Sequence, residues 1–437
     1  MRVWLRTYGC RANQADTEQL RGALVARGAT LVSEARDADV AVFNSCAVTA
    51  EAEADLRQGV RRAARERAGL ASVVMGCAAA LDRGTIATLP GVSAVVAGGN
   101  VAGVLAALDL PAKPAGRGLA AGAQSGVRAL LRIQDGCAEH CTFCATTMAR
   151  GAHRSRDAGA VVAEAASLAA WHPEVVITGT HVGHYGRETG TTLGALVARL
   201  VREVPGVRFR LTSVEATEVD PELAALLRHD SMRVAPHLHA PLQSGSDAVL
   251  RRMGRHWYRA ASYARAVEAL VRHAPVFALG ADVIAGFPGE TEADHRETVG
   301  LLEALPFTYL HVFPYSARPG TAATRLGAPV EPAEAARRAA ELRAIGERKA
   351  AAWAAVRAGG RADVVVTGTG RSCTGLTEDY LTVSFADPAP RRGMRVAARL
   401  APGAGGRLEA VTDAPGMPVA AMTAEAMPAP DSVPAPA

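Results

Sequence analysis

Six of the seven cysteines in this chain fall into two sets of three, and both sets can do iron chemistry. Cys137, Cys141 and Cys144 form C-x3-C-x2-C in QDGCAEHCTFC, directly after the apolar run ALLRIQ. Three thiolates on one short loop can hold three irons of a cubane [4Fe–4S] cluster and leave the fourth iron open. The competing reading is a zinc site completed by His140 or His153. Zinc sites usually pair cysteines as CxxC…CxxC, and the sequence holds no second pair. The other three cysteines are distant in sequence but equivalent in place. Cys10 ends VWLRTYGC, Cys46 ends DVAVFNSC and Cys77 ends SVVMGC, each just past an apolar run of strand length. Doubly wound sheets build ligand sites at that edge. Three such loops can therefore converge on a second cluster, again with one iron unligated; the alternative is three small buried hydrophobes. Cys373 stands alone and reads as structural.

The elements that would carry these loops alternate. In residues 1–108, strand-length runs at 3–8, 39–44 and 72–75 are separated by helical stretches such as 16–27, with Gly28 beyond its end. This predicts an α/β domain with a doubly wound parallel sheet. Residues 109–127 are rich in Pro, Gly and Ala and read as a linker. Strand candidates at 129–134, 174–179, 207–213, 235–241, 276–285 and 308–314 alternate with helices, so residues 128–358 form a barrel-like or open parallel sheet that ends in a long helix at 332–357. Residues 359–412 shift to ADVVVTGT, DYLTVSF and MRVAARL, which predicts a small all-β barrel. The Pro/Ala-rich tail, 413–437, reads as disordered.

Composition sets the class. Apolar types make up 49% and charged types 21%, which excludes a largely disordered chain. No run of about 20 apolar residues appears, so no membrane partner is expected. MRVWLRTYGC lacks a basic segment followed by an apolar one, so a cytoplasmic location is expected. An odd cysteine count in such a chain favours metal or redox chemistry over a disulfide framework. The net charge of +5 permits a nucleic-acid partner without requiring one.

C-x3-C-x2-C after a strand resembles the radical S-adenosylmethionine (SAM) enzymes. The N-terminal cysteines and the last barrel narrow this to the methylthiotransferases. TYGCRANQADTEQL, NSCAVTAEAE and Gly76–Cys77 are similar to that family's N-terminal domain; RGAHRSR, HLHAPLQSGSDAVLRRM, DVIAGFPGET and HVFPYSARPGTAA are similar to its radical domain. GLTEDYLTVSF resembles the TRAM RNA-binding barrel. After Cys144 the family usually continues with apolar residues and a proline, whereas this chain reads ATTMARG. HLHAPLQSG and HVFPYSARPGT look most like the branch that modifies N6-threonylcarbamoyladenosine at position 37 of tRNA.

The resemblance implies a central partial (β/α)6 TIM-like radical SAM barrel and a TRAM-like C-terminal barrel. It also implies two [4Fe–4S] clusters, one held by Cys137, Cys141 and Cys144 and an auxiliary one held by Cys10, Cys46 and Cys77. The open iron of the first chelates SAM and cleaves it reductively, while the second carries the sulfur, and each turnover consumes two SAM molecules. Candidates for the SAM pocket are Gly179, Ser213, Glu215, Gln243, Ile284 and Gly286, all at C-terminal strand ends. No side chain is assigned as acid or base, because the cofactors carry the chemistry. Implied partners are the tRNA anticodon loop, a sulfur donor and a low-potential electron donor such as flavodoxin or ferredoxin. The same chemistry on N6-isopentenyladenosine or on an aspartate of a ribosomal protein is the alternative. A non-enzymatic, metal-containing RNA-binding protein is the alternative from another class.

His237 and His239 lie two apart on one strand and so share a face, as polar groups toward a cavity or as ligands. Arg57, Arg61, Arg62 and Arg65, then Arg251, Arg252 and Arg255, then Arg391, Arg392 and Arg395 are candidate phosphate contacts. Tyr380 and Phe385 are candidates for stacking on bases or for the core.

Overall fold

A computed structural model describes residues 1–110, 123–272, 274–370, 373–403 and 406–412, so most of the expected linker and the expected tail lie outside the described residues. The chain divides into two units, Met1–Ala355 and a second from Val356 onward.

The first elements are β1 (Arg2–Thr7), α1 (Arg11–Val25), β2 (Thr30–Val32), β3 (Val40–Ser45), α2 (Ala50–Glu66), β4 (Ala71–Gly76), α3 (Cys77–Leu81), β5 (Val92–Ala97) and α4 (Val101–Ala107). They build an all-parallel sheet in the order β2-β1-β3-β4-β5. Strand β3 is buried along its whole length because both of its faces are covered. Ala41 and Phe43 pack with Leu56 and Val60 of α2, while Val40 and Val42 pack with Leu20 and Leu24 of α1. The strand order reverses between β1 and β3, and such a switch point opens a crevice at the carboxyl edge. Cys10 follows β1 and Cys46 follows β3, at the two sides of that crevice.

Two expectations change here. The edge strands β2 and β5 are additional to the three strands read from the sequence; β2 has only three residues, too few to show a period. Helix α1 begins at Arg11 and not at residue 16. Asp16, expected at the start of the helix, is fully buried inside it, where Arg132 and Arg150 bind its carboxylate.

The next segment runs β6 (Ala129–Arg132), β7 (Gln134–Asp135), α5 (Thr146–Arg150), β8 (Arg154–Ser155), α6 (Ala158–Ala169), β9 (Glu174–Thr178), α7 (Leu193–Glu203), β10 (Arg208–Leu211), α8 (Pro221–His229), β11 (His237–His239), α9 (Asp247–Arg252), α10 (Ala260–Val271), β12 (Ala278–Ala285), α11 (Glu292–Ala304) and β13 (Tyr309–Pro314). Two parallel sheets, β10-β9-β6 and β11-β12-β13, meet through parallel bridges at Phe209–Val234 and Ser213–His239. Six parallel strands thus follow one another in chain order over one continuous apolar core. Side chains fix where the helices start: Asp157, Thr192, Asp220 and Thr291 each accept an amide hydrogen bond from the first turn of α6, α7, α8 and α11. At the amino edge of the strands, Glu174 is fully buried between Arg208 and Arg210.

Helix α12 (Pro332–Arg357) has the expected bounds. The second unit holds β14 (Arg361–Val366), β15 (Thr374–Thr377), β16 (Thr382–Phe385), β17 (Arg395–Pro402) and β18 (Leu408–Val411), closed as a barrel in the order β14-β15-β16-β18-β17. Phe385 is buried against Gly375, so it belongs to the barrel core and not to a base-stacking surface. Cys373 is buried as well. No helix among the described residues is long and apolar enough to cross a membrane.

Candidate functional site

The C-x3-C-x2-C loop joins β7 to α5, and its three thiols border a cavity of about 180 Å³. Ser213, Glu215 and Gln243 line it together with Thr180, Arg255 and Trp257. Gln243 adopts φ +65, a left-handed backbone that costs a side-chain-bearing residue roughly 1–2 kcal/mol. The turn is held from both sides, since the Gln243 amide donates to the Asp282 carbonyl at 2.8 Å and its carbonyl accepts from Ile284 at 2.9 Å.

The other three residues expected in this pocket lie outside its wall. Gly179 precedes Thr180 and is closed in by Gln134: a Cβ there would sit 2.9 Å from Gln134 Oε1. Gly286 adopts φ +74, and a Cβ there would meet Ala335 of α12 at 2.6 Å, so its glycine serves a turn under a helix. Ile284 contributes its backbone to the Gln243 turn.

Each cysteine of this loop has a distinct polar neighbour. Cys137 Sγ lies 3.5 Å from His181 Nδ1, and the opposite ring nitrogen is 3.0 Å from Glu218. His184 stacks on His181 with centroids 3.6 Å apart and also reaches Glu218, at 2.7 Å. Burial would depress His181, but its hydrogen bonds to Cys137 and Glu218 outweigh that and push it up to about 10. Cys144 Sγ accepts from the Thr146 amide at 3.4 Å. Cys141 Sγ accepts from Arg255 Nη1 at 3.5 Å. Burial drives the Cys141 thiol up to about 12, against the Arg255 guanidinium.

Arg255 was expected among solvent-facing phosphate contacts, and that is corrected here. It is buried, pairs with Glu215, donates to Tyr258 Oη at 2.8 Å and stacks over Trp257. Its position in an RRMGR run looked like a charged surface because Arg251 and Arg252 flank it. Replacing Arg255 by Gln removes a charged donor worth roughly 1.5–3 kcal/mol from a buried carboxylate and a sulfur. The expected result is a ten- to hundredfold loss of ligand affinity in this cavity, measured by equilibrium dialysis with SAM.

The N-terminal cysteines also converge, though the chain brings them from three strand ends. The sulfurs of Cys10 and Cys77 lie 3.5 and 3.8 Å from one atom, Asn13 Oδ1. A Cβ on Gly9, which adopts φ +102, would lie 2.7 Å from Cys46 Sγ, so only glycine lets the first loop approach the second. Asn13 itself donates to Asn44 Oδ1 at 3.0 Å and to the Ser45 carbonyl at 2.7 Å, which ties the loops after β1 and β3 together. Burial raises the Cys77 thiol to about 11 and raises Cys46 as well. All six are free thiols, with Cys10 exposed, Cys46 buried and the other four half-buried, and three sulfurs brought together match the donor set of a cluster with one open iron, twice over.

Some participants received no role from the sequence: Asn13 and Arg150 fall within TYGCRANQADTEQL and RGAHRSR, and Thr180, His181 and Trp257 carry no decisive spacing signal, since their positions arise from contacts between distant segments. His237 and His239 do share a partner, with His237 Nε2 at 2.8 Å and His239 Nδ1 at 3.1 Å from Tyr309 Oη. His239 Nε2 then meets Asp282 at 3.0 Å, and His311 meets the same carboxylate oxygen at 3.3 Å.

Residues 2–98 match the uncharacterised protein family UPF0004, and residues 131–302 match the radical SAM superfamily. The chain is 35% identical to the threonylcarbamoyladenosine tRNA methylthiotransferase MtaB of Aquifex aeolicus, over 75% of this chain and 83% of that relative. It is also 35% identical to the MtaB of Bacillus subtilis, over 74% and 75% of the two chains. A Sorangium cellulosum tRNA-2-methylthio-N(6)-dimethylallyladenosine synthase is 35% identical over 84% of this chain and 82% of its own. Among solved structures, the radical SAM methyltransferase TsrM of Kitasatospora setae superposes with a TM-score of 0.54, at 15% identity over 74% of this chain and 76% of that one, a likeness of fold.

Proposed function

The chain belongs to the radical SAM methylthiotransferases, enzymes that transfer a methylthio group, and from that premise we propose that its substrate is N6-threonylcarbamoyladenosine at position 37 of tRNA, modified at C2. Membership sets aside the alternative of a non-enzymatic RNA-binding protein. We assign the C137–C144 loop to the cluster that binds SAM and Cys10, Cys46 and Cys77 to an auxiliary cluster. A cluster held by Cys137, Cys141 and Cys144 would supply the electron that cleaves SAM. The protein's part is to hold six thiolates, to seat SAM against Ser213, Glu215 and Gln243, and to keep the cavity narrow.

The observation that carries the choice of substrate is the His239–Asp282–His311 group. Ser213 and Gln243 of the cavity wall are bridged in register to His239 and Val283, so this group lies directly beside the wall. Asp282 is held at low pKa by hydrogen bonds from His239 and His311 that outweigh its burial, and His311 remains half exposed. A threonylcarbamoyl arm carries a carboxylate, a hydroxyl and amides, and it can satisfy these polar groups. A dimethylallyl arm is hydrocarbon and would displace water from the exposed edge of His311 without offering it a hydrogen bond, which is how a polar site discriminates against an apolar analogue. For His311→Leu, kcat/KM on threonylcarbamoyl-tRNA is expected to fall ten- to hundredfold, while SAM cleavage without tRNA stays at the parent rate. An unchanged kcat/KM would leave the substrate reading without its structural support.

The name of the Sorangium relative favours the isopentenyladenosine reading as the second choice. Deletion of the gene and mass spectrometry of tRNA nucleosides separates the two. Loss of 2-methylthio-N6-threonylcarbamoyladenosine with accumulation of its precursor is the expected result; loss of a different methylthio nucleoside would overturn the substrate and keep the chemistry. Arg57, Arg61, Arg62 and Arg65 of α2 and Arg391 and Arg392 are exposed, as phosphate contacts would be. The C-terminal barrel as an RNA-binding domain, a cytoplasmic location, a flavodoxin- or ferredoxin-type electron donor and a separate sulfur donor complete the proposal.

A further inference from the structure

Helix α5 begins two residues after Cys144 and ends at Arg150, so one short helix starts at the first cysteine set and ends at the second. Its first residue, Thr146, donates to Cys144 Sγ, and its five residues rise about 7 Å. Its last residue is buried to 7% exposure although it is an arginine. Arg150 Nη2 donates to Asn13 Oδ1 at 3.0 Å, the same atom that the sulfurs of Cys10 and Cys77 approach. The same nitrogen binds Asp16 at 2.8 Å, and Nη1 binds Asp135 at 3.0 Å. Arg150 therefore reaches both sulfurs through the Asn13 amide oxygen.

The first cysteine set has a counterpart. Arg255, equally buried and equally paired with a carboxylate, donates to Cys141. In each set a buried arginine stands beside the thiols: Arg255 donates to Cys141 directly, and Arg150 donates to the asparagine oxygen that Cys10 and Cys77 both approach. The Arg150 side chain comes from outside the domain that holds Cys10, Cys46 and Cys77, since α5 follows the C-x3-C-x2-C loop.

We propose that Arg150 is a positioning residue for the auxiliary cluster, supplied by the radical domain: it fixes Asn13 against the cysteine loops and places positive charge beside the Cys10 and Cys77 sulfurs, which raises the cluster's reduction potential. The inference rests on the reading that Cys10, Cys46 and Cys77 hold a cluster. A positive charge close to ligand sulfurs favours the reduced, more negative cluster, and hydrogen bonds around cluster sulfurs act in the same direction. Arg150 is also tethered through Asp16 to α1, so assembly of the auxiliary site and docking of the two domains are one event. The run ATTMARG after Cys144 thereby has a use in its last arginine.

The test uses the full chain with Cys137, Cys141 and Cys144 all replaced by Ala, so that any remaining cluster is the auxiliary one. Iron is counted after anaerobic reconstitution, and the midpoint potential is read by electron paramagnetic resonance along a redox titration. With Arg150 intact, about four irons are expected. Arg150→Gln is expected to keep the cluster and shift its midpoint to lower potential, and Arg150→Lys to restore part of that shift. Asp16→Asn, which leaves Arg150 less neutralised, is expected to shift the midpoint the opposite way. If the parent of this series holds no cluster, the two-cluster reading fails and this inference fails with it. If the cluster is present and its potential is the same in Arg150→Gln, Arg150 is structural only and the proposal is overturned. Should Arg150→Gln lose its iron, Asp16→Asn decides: a rise in potential supports the proposal and no movement overturns it.

Discussion

Alanine at Cys141 is expected to reduce SAM cleavage by more than about a thousandfold, whereas alanine at Cys46 is expected to leave SAM cleavage intact and to abolish methylthio transfer. The two sets of thiols are separately built. Cys141 sits in the loop between β7 and α5, against the cavity with Ser213, Glu215 and Gln243. Cys46 sits past β3 in the N-terminal sheet, against Gly9. A cluster with three thiolates has no spare ligand, so the loss of one leaves two and the iron is released. In both variants the iron content should fall from about eight to about four per chain. Two product assays then separate them: 5′-deoxyadenosine reports SAM cleavage, and the methylthio nucleoside reports transfer. If Cys46→Ala eliminates 5′-deoxyadenosine and Cys141→Ala spares it, the two sites have been assigned the wrong way round. If neither variant loses iron, the cysteines are not ligands.

The second large effect concerns stability. Glu174→Ala is expected to cost about 3–5 kcal/mol, because it leaves buried arginines without their counter-charge. Arg208 and Arg210 are essentially inaccessible, and each binds the Glu174 carboxylate through Nε, at 2.7 and 2.8 Å. Arg128 adds a third contact at 3.3 Å. Burial alone would push the Glu174 carboxyl up; Arg210 and Arg208 overcome this and hold it well below the usual carboxylate range. Urea unfolding of the reconstituted enzyme measures the loss. Replacing Glu174, Arg208 and Arg210 together by Leu and Met should recover most of it, because the one charge that then loses its partner, Arg128, is in contact with water. A single-variant loss below about 1 kcal/mol would mean that water reaches the arginines as Glu174 is removed.

What was legible in the chain itself was whatever local spacing encodes. C-x3-C-x2-C announces its chemistry because three ligands within eight residues need no folding partner to be close. Cys10, Cys46 and Cys77 were legible for a different reason: each ends an apolar run, and a parallel sheet brings the carboxyl ends of its strands to one edge. Ser213, Glu215 and Gln243 followed from the same rule, and they do line the cavity. The rule has no means of telling a wall from a turn, so Gly286 was placed in the pocket although its glycine answers to Ala335.

Tertiary structure alone decided which charges are inside. Asp16 was placed at the start of a helix and Arg255 on a basic surface, because a one-dimensional pattern assigns charged residues to water. Both are buried, and in each case the partner is remote: Asp16 meets Arg132 and Arg150, and Arg255 meets Glu215 and Cys141. The cost of burying such a group is offset only by an opposite charge or donor placed there by another segment. The sequence therefore determined the candidate thiols and the strand ends that carry them, while the arginines and asparagine that lie against those thiols became identifiable only once the chain had closed around them.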